Sequence, residues 1–344
     1  MTSLTNARRA FIKRYRKRYL QYRQKAQLTE RLIRSLLGGF ELKIHKIEGR
    51  AKHPDSANLK VLDKGYRRPA KQLTDRIGVR VITYYPTEVD EVVRQLRSEL
   101  EVDRRRSSDR RQTLGPRKFG YRSVHLISRL KRGYPKNTEY SSLVGMWFEI
   151  QVRSILEHAW AQIDHEVVFK SKIDYPNSVI RKFAAIAANL EILGDQFVSL
   201  KDERNKLIRR YRADYGQQLH WQKRFDVARL LGFLEWEYPR NPSWRETERA
   251  GKPFPARIEV TCLVALKACG LNTPRMLHAH MQTQRYQNAV KTFAANQGMS
   301  LDEVSHLGLT VVAIALKNIS LFRDFFYDMS QDPAILEVTP RYRR

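Results

Sequence analysis

Residues 147–154, with the sequence WFEIQVRS, alternate polar and apolar side chains. In a β-strand successive side chains point to opposite faces, so Glu149, Gln151 and Arg153 share one face and the apolar residues between them share the other. This two-residue period predicts a half-buried strand. Its polar face then carries an acid, an amide and a guanidinium in one row.

Two other segments have the composition of strands. Residues 76–85 (RIGVRVITYY) are rich in β-branched and aromatic side chains, and residues 121–130 (YRSVHLISRL) alternate as 147–154 do. Between them, residues 86–100 place apolar side chains at helical spacing. The order of strand, helix, strand, strand and helix predicts an α/β (α+β) fold with a mixed sheet flanked by helices.

Helices are predicted before the first and after the last of these strands in the sequence. Residues 7–37 are strongly basic and place apolar side chains at steps of three and four, which predicts one amphipathic helix; these side chains are Phe11, Tyr15, Tyr19, Tyr22 and Ala26. The basic face of this helix either is solvated or contacts RNA or phosphate. Ser154 and Glu157 fit a capping box at the start of a helix that runs to about Phe169.

The C-terminal part of the chain has helical patterns and no catalytic motif. A helix from Asn177 to about Tyr211 is expected to close the sheet domain, and residues 236–256, dense in proline and charge, predict a connector. Further helices are expected at about 258–270, 273–298 and 301–326. The predicted organisation is a basic N-terminal helix (1–39), a sheet domain (40–211) and a helical C-terminal extension (212–344).

The composition is that of a folded protein with a large positive charge. Among 344 residues, 64 Lys and Arg stand against 36 Asp and Glu, which gives a net charge of +28. This excess attracts polyanions such as nucleotides and nucleic acid. Cys262 and Cys269 lie in an apolar helical pattern, so we expect them in a core rather than in a disulfide or a zinc site.

Membrane insertion and secretion are not expected from the sequence. No uninterrupted apolar run approaches the roughly 18 residues of a membrane helix, and the N-terminus lacks the apolar stretch of a secretory signal. We therefore expect a cytoplasmic protein that does not enter a membrane.

Two polar rows on neighbouring strands make a site plausible, although a polar face is also a common outcome in antiparallel sheets. Tyr121, Ser123 and His125 share one face of their strand. Asp75 lies at the start of the strand of residues 76–85, and with Glu149 it would form an oxygen pair suited to Mg²⁺. Taken alone, Asp75 is better explained as a capping or ion-pairing residue.

Three segments resemble the synthetase domain of the RelA/SpoT homologue family, the alarmone (ppGpp) synthetases. They are TDRIGVRVITYY, KFGYRSVHLI and FEIQVRSILEHAWAQIDHEVVFKS, in the family's order and spacing. The resemblance covers roughly residues 40–200. It implies a nucleotidyltransferase-like domain that moves pyrophosphate from ATP to the 3′-hydroxyl of GDP or GTP, as a single-function small synthetase does.

The resemblance also implies roles for individual residues. Asp75 would hold the Mg²⁺ of ATP, and Glu149 would share that metal or take the proton of the attacking hydroxyl. ATP would be bound by Arg50, Lys52, Ser56, Arg80 and Arg153. The acceptor would be bound by Tyr121, His125, Gln151, His158, Arg117 and Lys118. Phe119 and His158 depart from the Asn that the family often has at each position, which leaves the identity of the acceptor open.

Other functions stay open at this point. Some small relatives pyrophosphorylate the 3′ end of tRNA and act as growth-arresting toxins, and the charge of +28 favours such a polyanionic acceptor. An adenine nucleotide as acceptor and a non-catalytic RNA-binding protein on a decayed enzyme fold are further alternatives. Relatives often form homo-oligomers, so an oligomer is a further expectation.

Overall fold

The computed structural model describes residues 2–38, 44–113, 120, 122–131, 133, 139–164, 166, 176–239 and 258–326. By compactness the chain divides into two units, residues 1–199 and 200–344. This division falls inside a single helix, Asn177–Gly216. The three predicted domain segments, with bounds after residues 39 and 211, stay a prediction.

The first unit contains one mixed sheet of six strands. They are β1 (Ile44–Ala51), β2 (Ile77–Thr83), β3 (Leu100–Val102), β4 (Ser108–Asp109), β5 (Val124–Leu130) and β6 (Phe148–Ser154). The order across the sheet is β1-β2-β6-β5-β3, and β4 pairs with β5. β2 and β6 are parallel, and every other pair is antiparallel. The predicted mixed sheet is confirmed; β1, β3 and β4 had not been predicted.

The helices of this unit are α1 (Thr2–Lys17), α2 (Tyr19–Gly38), α3 (Pro54–Asp63), α4 (Pro69–Gln72), α5 (Pro86–Glu99), α6 (Arg110–Thr113), α7 (Ile155–Asp164) and the first part of α8 (Asn177–Gly216). One apolar face of the sheet packs against α2 and α5 in a shared core. The core side chains of β6 are Phe148, Ile150 and Val152, each with no exposed surface. The burial of alternate residues leaves the other face of the sheet for polar side chains.

The prediction of one continuous N-terminal helix over residues 7–37 was wrong. Arg18 interrupts it, so that α1 and α2 are separate helices. The predicted apolar stripe is nevertheless the packing face: Phe11 and Tyr15 are buried in a small core with α3, and Tyr19 and Tyr22 pack against that core. Five of the six basic side chains of α1 are exposed: Arg9, Lys13, Arg14, Arg16 and Lys17.

The start of α7 follows the prediction. The backbone N–H of Ser154 donates to Glu157 Oε2 at 2.7 Å, and the N–H of Glu157 donates to Ser154 Oγ at 3.3 Å. These reciprocal bonds are the capping box. Its predicted end near Phe169 lies outside the described residues.

The second unit is helical over its described residues. After the end of α8 it contains α9 (Val227–Glu237), α10 (Ile258–Ala268), α11 (Pro274–Met281), α12 (Gln284–Asn296), α13 (His306–Lys317) and α14 (Ile319–Phe325). The helix predicted over 273–298 is two helices, because Thr283 caps α12 by accepting from the N–H of Tyr286. Cys262 and Cys269 are free thiols in this unit's core, as expected.

Among the described helices, α8 has the length and apolar composition that a membrane span requires. Length and composition alone are weak evidence for a span. Glu191 and Asp195 interrupt its apolar residues, in keeping with the sequence expectation of no uninterrupted run.

Candidate functional site

The face of the sheet opposite the α2 and α5 helices carries the predicted polar row. Glu149, Gln151 and Arg153 project from this face of β6. Arg80 of the parallel strand β2 and His125 of the antiparallel strand β5 both pair with Gln151, so their side chains stand on the same face. We call the face that carries these five side chains the polar face. The expectation that the rows of neighbouring strands meet is therefore confirmed for His125.

Both carboxylate oxygens of Glu149 are engaged on this face. Its Oε1 lies 2.9 Å from Nδ1 of His125, and Nε2 of Gln151 donates to its Oε2 at 2.9 Å. Burial raises the pKa of Glu149, but these two neighbours lower it by more, so the net pKa lies below the ordinary value. Glu149 is therefore an ionised carboxylate in a fixed orientation at neutral pH.

Asp75 lies just before β2 and is held by two lysines. Lys60 Nζ lies 2.8 Å and Lys52 Nζ 3.0 Å from the same oxygen, Oδ2. Burial raises the pKa of Asp75, yet the two ammonium groups bring it below its ordinary value. The other oxygen, Oδ1, is buried and accepts no hydrogen bond from the residues that the structure describes. Oδ1 of the ionised Asp75 carboxylate is thus available to bind a cation.

Asp75 and Glu149 belong to one electrostatic site. Burial lowers the pKa of Lys60, and the charges of Asp75 and Glu149 both raise it, with a net upward shift. The charge of Asp75 also counts among the influences that raise the pKa of Glu149. Asp75 precedes β2 by two residues, and β2 runs parallel to β6 with Gly78 opposite Glu149, so the two carboxylates lie at the same end of this strand pair. That the two carboxylates meet at one magnesium-bound triphosphate was the central expectation from the sequence, and it stays a prediction together with their catalytic roles.

A second cluster of charged side chains lies further along β1, β2 and β6. Arg80 pairs with Glu48 of β1 at 2.9 Å. Burial raises the pKa of Glu48, but hydrogen bonds from Lys46 and Arg80 lower it to about 2. On α7, burial and then the charges of Arg153 and Arg80 lower the pKa of His158 to about 4. His158 is therefore a neutral imidazole beside two guanidinium groups at neutral pH.

The predicted ATP-binding segment joins the end of β1 to the start of α3. Arg50 lies over Gly78 of β2, because a Cβ built on Gly78 would lie 3.8 Å from both Cγ and Nε of Arg50 and 3.8 Å from the carbonyl oxygen of Glu149. Lys52 follows and contacts Asp75, whereas Ser56 is exposed on the first turn of α3. Arg50 and Lys52 therefore lie beside the carboxylate pair, and no contact places Ser56 there.

The predicted acceptor-binding residues divide into three groups. His125 and Gln151 both contact Glu149. His158 lies with Arg80 and Arg153 instead. Arg117, Lys118 and Tyr121 lie outside the described residues.

Two residues of this site were missed by the sequence prediction. Lys60 contacts Asp75, and Tyr15 of α1 donates its hydroxyl to the carbonyl oxygen of Lys52 at 2.8 Å. Lys60 follows Ser56 by four residues, so both lie on one side of α3, and this spacing was the available signal. Tyr15 gave no such signal, because in the sequence a tyrosine that supports the site cannot be told from one that only packs in the core.

The donor set fits a divalent cation that is carried by a substrate. The described residues contain no group of three or more His, Cys, Asp and Glu side chains arranged to hold a metal ion. Mg²⁺ in particular is commonly bound through one or two carboxylates together with substrate phosphates. The buried Oδ1 of Asp75 and the adjacent carboxylate of Glu149 supply that smaller set.

Comparisons with known proteins match the part of the chain that contains this site. A family model described as a region found in RelA/SpoT proteins matches residues 49–174. The chain is similar to the GTP pyrophosphokinase YwaC of Bacillus subtilis (strain 168), with 27% identity over 164 residues, which cover 46% of this chain and 75% of that protein.

Solved structures of small alarmone synthetases from Bacillus subtilis are also similar. Synthetase 2 has 25% identity and a TM-score of 0.43, and the match covers 55% of this chain and 98% of that one. Synthetase 1 has 22% identity and a TM-score of 0.46, with coverages of 56% and 99%.

Proposed function

Residues 49–174 of this chain form a RelA/SpoT-family domain, and on that premise we propose that the protein is an ATP-dependent pyrophosphotransferase, a GTP diphosphokinase-like enzyme. It would transfer the β,γ-pyrophosphate of ATP to the 3′-hydroxyl of GDP or GTP. The hydroxyl oxygen forms a bond to the β-phosphorus, the bond from that phosphorus to the α,β-bridging oxygen breaks, and AMP leaves. The observation that carries the proposal is the contact of Lys52 and Lys60 with the buried carboxylate of Asp75, directly before the strand that pairs with the strand of Glu149.

Glu149 is the residue suited to take the proton of the acceptor hydroxyl. A general base must be unprotonated and within hydrogen-bond reach of the proton that it removes. The lowered pKa of Glu149, in which His125 and Gln151 outweigh burial, meets the first condition. Their hydrogen bonds also fix the direction of the carboxylate.

Positive charge on this face would stabilise the transferring phosphates. Pyrophosphoryl transfer needs in-line positioning and charge stabilisation more than covalent help from the protein. Arg50, Lys52 and Lys60 surround the carboxylate pair, and Arg80 and Arg153 lie further along the same face. Lys52 and Lys60 are held by Asp75 before any nucleotide binds, so little side-chain entropy would be lost when they meet phosphate oxygens.

A divalent cation, and Mg²⁺ specifically, is part of this proposal. Asp75 would bind it through Oδ1, with Glu149 as a second candidate ligand. When bound, such an ion neutralises charge on the oxygens that it bridges.

Guanine nucleotides are the first candidate for the acceptor. The similarity to a protein named as a GTP pyrophosphokinase supports this choice. His125 and Gln151 both hydrogen-bond to Glu149, and we propose that they orient the acceptor as well as the base. Tyr121, Arg117 and Lys118 are retained as proposed acceptor contacts.

The 3′ end of tRNA is a second candidate acceptor, as in toxic small relatives. The exposed face of α1 favours it, because this helix contains six Lys and Arg residues and no acidic residue. Its apolar side chains pack on α3, Arg8 contacts Tyr66 and Arg16 pairs with Asp55. The exposed side chains of Arg9, Lys13, Arg14 and Lys17 are left to solvent or to a polyanion. A mononucleotide needs no such surface. A non-catalytic RNA-binding role, a homo-oligomeric state and a cytoplasmic location complete the set of proposals.

Product analysis separates these functions. Wild-type protein is incubated with ATP and Mg²⁺ and with GDP, GTP, bulk tRNA or no acceptor, and nucleotides are resolved by anion-exchange chromatography. We expect AMP and a 3′-pyrophosphorylated guanine nucleotide in equal amounts, and no product from E149Q, which keeps the size of the side chain and removes its charge. Product with tRNA alone would establish the second candidate. If ATP is consumed with none of the acceptors while RNA is still bound, the enzyme proposal fails.

A further inference from the structure

The backbone of Lys52 is fixed from two sides. Its N–H donates to the carbonyl oxygen of Arg76 at 3.0 Å, and its own carbonyl oxygen accepts from the Tyr15 hydroxyl at 2.8 Å. Lys52 lies in the two-residue connection between β1, which ends at Ala51, and α3, which begins at Pro54. A connection outside regular structure is held by such contacts, so Tyr15 supplies one of the two bonds that position Lys52.

Tyr15 is itself rigidly placed. Only 2% of its surface is exposed, and its ring stacks on Tyr22 with 4.9 Å between the ring centroids. Burial, followed by the charges of Tyr22 and Asp75, raises the pKa of its hydroxyl well above the ordinary value. The hydroxyl therefore stays protonated at every working pH and remains a donor to Lys52.

Neighbouring contacts tie the same segment to the N-terminal helices. Arg16 Nη2 lies 2.8 Å from Asp55 Oδ1, and the ring of Tyr19 meets that of His53 edge to face at 5.7 Å. Arg16 and Asp55 are both exposed, so this ion pair contributes little to stability on its own. The bond from Tyr15 is the buried member of this set.

We propose that Tyr15 is a positioning residue for the triphosphate of ATP, which acts through Lys52 and makes α1 part of the nucleotide site. This inference rests on the proposed function, since it assigns Lys52 to the phosphates. The side chain of Lys52 now meets Asp75 Oδ2 at 3.0 Å, next to the oxygen that is left for a cation. Loss of the Tyr15 bond frees the carbonyl of Lys52, which lets its Cα and its ammonium move away from that place.

The test uses the matched variants Y15F and Y22F. Y15F removes one hydroxyl and keeps the stacked ring, whereas Y22F makes the same change in its stacking partner, whose hydroxyl makes no hydrogen bond among the described residues. The dissociation constant of a non-hydrolysable ATP analogue with Mg²⁺ is measured by calorimetry. We expect Y15F to weaken binding about 3- to 10-fold, the usual effect of one lost hydrogen bond, and Y22F to bind as wild type does. In turnover the KM for ATP should rise by the same factor, with kcat and the KM for the acceptor unchanged.

A double-mutant cycle separates positioning from a general loosening of the fold. If Tyr15 acts through Lys52, Y15F combined with K52M binds the analogue as K52M alone does. An equal loss from Y15F in both backgrounds overturns the proposal, and so does wild-type affinity in the Y15F single variant. If wild-type protein binds no ATP analogue, the proposed function fails first, and this inference fails with it.

Discussion

The ammonium of Lys60 lies 2.8 Å from Oδ2 of Asp75, although neither residue belongs to the strands that form the polar row. Lys52 shares the same oxygen, so two cations and one carboxylate are assembled before a nucleotide is present. Burial lowers the pKa of Lys60, and Asp75 and Glu149 outweigh that effect, so the ammonium stays charged. The site thus positions two positive charges before a phosphate binds.

Replacement of Lys60 by methionine should weaken ATP binding. The variant keeps much of the apolar stem and removes the ammonium, and a hydrogen bond to a charged group contributes about 1.5–3 kcal/mol. Part of this is offset because Lys60 must loosen its contact with Asp75, so we expect about a tenfold increase in the dissociation constant of an ATP analogue. K64M is the matched control, since Lys64 is 61% exposed and follows the end of the same helix. Equal binding by both variants would exclude Lys60 from the phosphate site.

Removal of the His125 imidazole should move the acid limb of the pH–rate profile. Burial raises the pKa of Glu149 and His125 is first among the groups that lower it, so H125A leaves that pKa higher. A general base loses activity as the pH falls through its pKa, so the decline in kcat/KM should begin at a higher pH in H125A. H45A is the control, because His45 is exposed near the far end of β1. A limb that stays in place would show that Glu149 is not the titrating base.

Replacement of His158 by asparagine should change the acid stability of the protein. Burial and the two arginines lower the pKa of His158 to about 4, whereas the unfolded chain has an ordinary histidine. Between an ordinary value near 6.5 and about 4, the unfolded state therefore binds more protons, so this residue makes stability fall as the pH falls through that window. In H158N this contribution disappears. We expect its urea midpoint to decline less than that of wild type between pH 6.5 and 4.5, and parallel declines would contradict the assignment.

The sequence predicted the polar row because strand alternation is a local property. Glu149, Gln151 and Arg153 need only the period of one strand to share a face. Asp75 and Glu149 were paired as candidate oxygen ligands of Mg²⁺, and the packing of β2 beside β6 now places the two segments side by side. The connection between these parallel strands runs through α5 and then through β3, β4 and β5; the apolar spacing of residues 86–100 had indicated the helix.

What the sequence did not reveal depends on contacts between distant segments. Lys60 reaches Asp75 only because α3 packs beside the start of β2, and Tyr15 reaches Lys52 only because α1 packs on α3. The break at Arg18 was also invisible, since the apolar spacing continues from Tyr15 to Tyr19 and Tyr22 across it. Periodicity reports which face is buried, and it does not report where a helix ends.

A glycine in β1 provides a test of the packing that supports the whole site. A Cβ on Gly49 would lie 2.2 Å from the backbone carbonyl oxygen of Ala26 in α2, so G49A must push this helix away from the sheet. Overpacking of this kind typically costs about 1–3 kcal/mol, and a clash with backbone is at the upper end. We therefore expect a clear fall in the urea midpoint, followed by circular dichroism.

The matched variant is G78A, in the neighbouring strand β2. A Cβ on Gly78 would meet its nearest neighbours at 3.8 Å, which is an ordinary van der Waals contact. The same chemical change should therefore leave the urea midpoint close to that of wild type. Because α2 packs on β1 and β2 together, wild-type stability in G49A would mean that this helix is not seated on the sheet as described. An equal loss in both variants would mean that the clash with Ala26 is not the source of the loss.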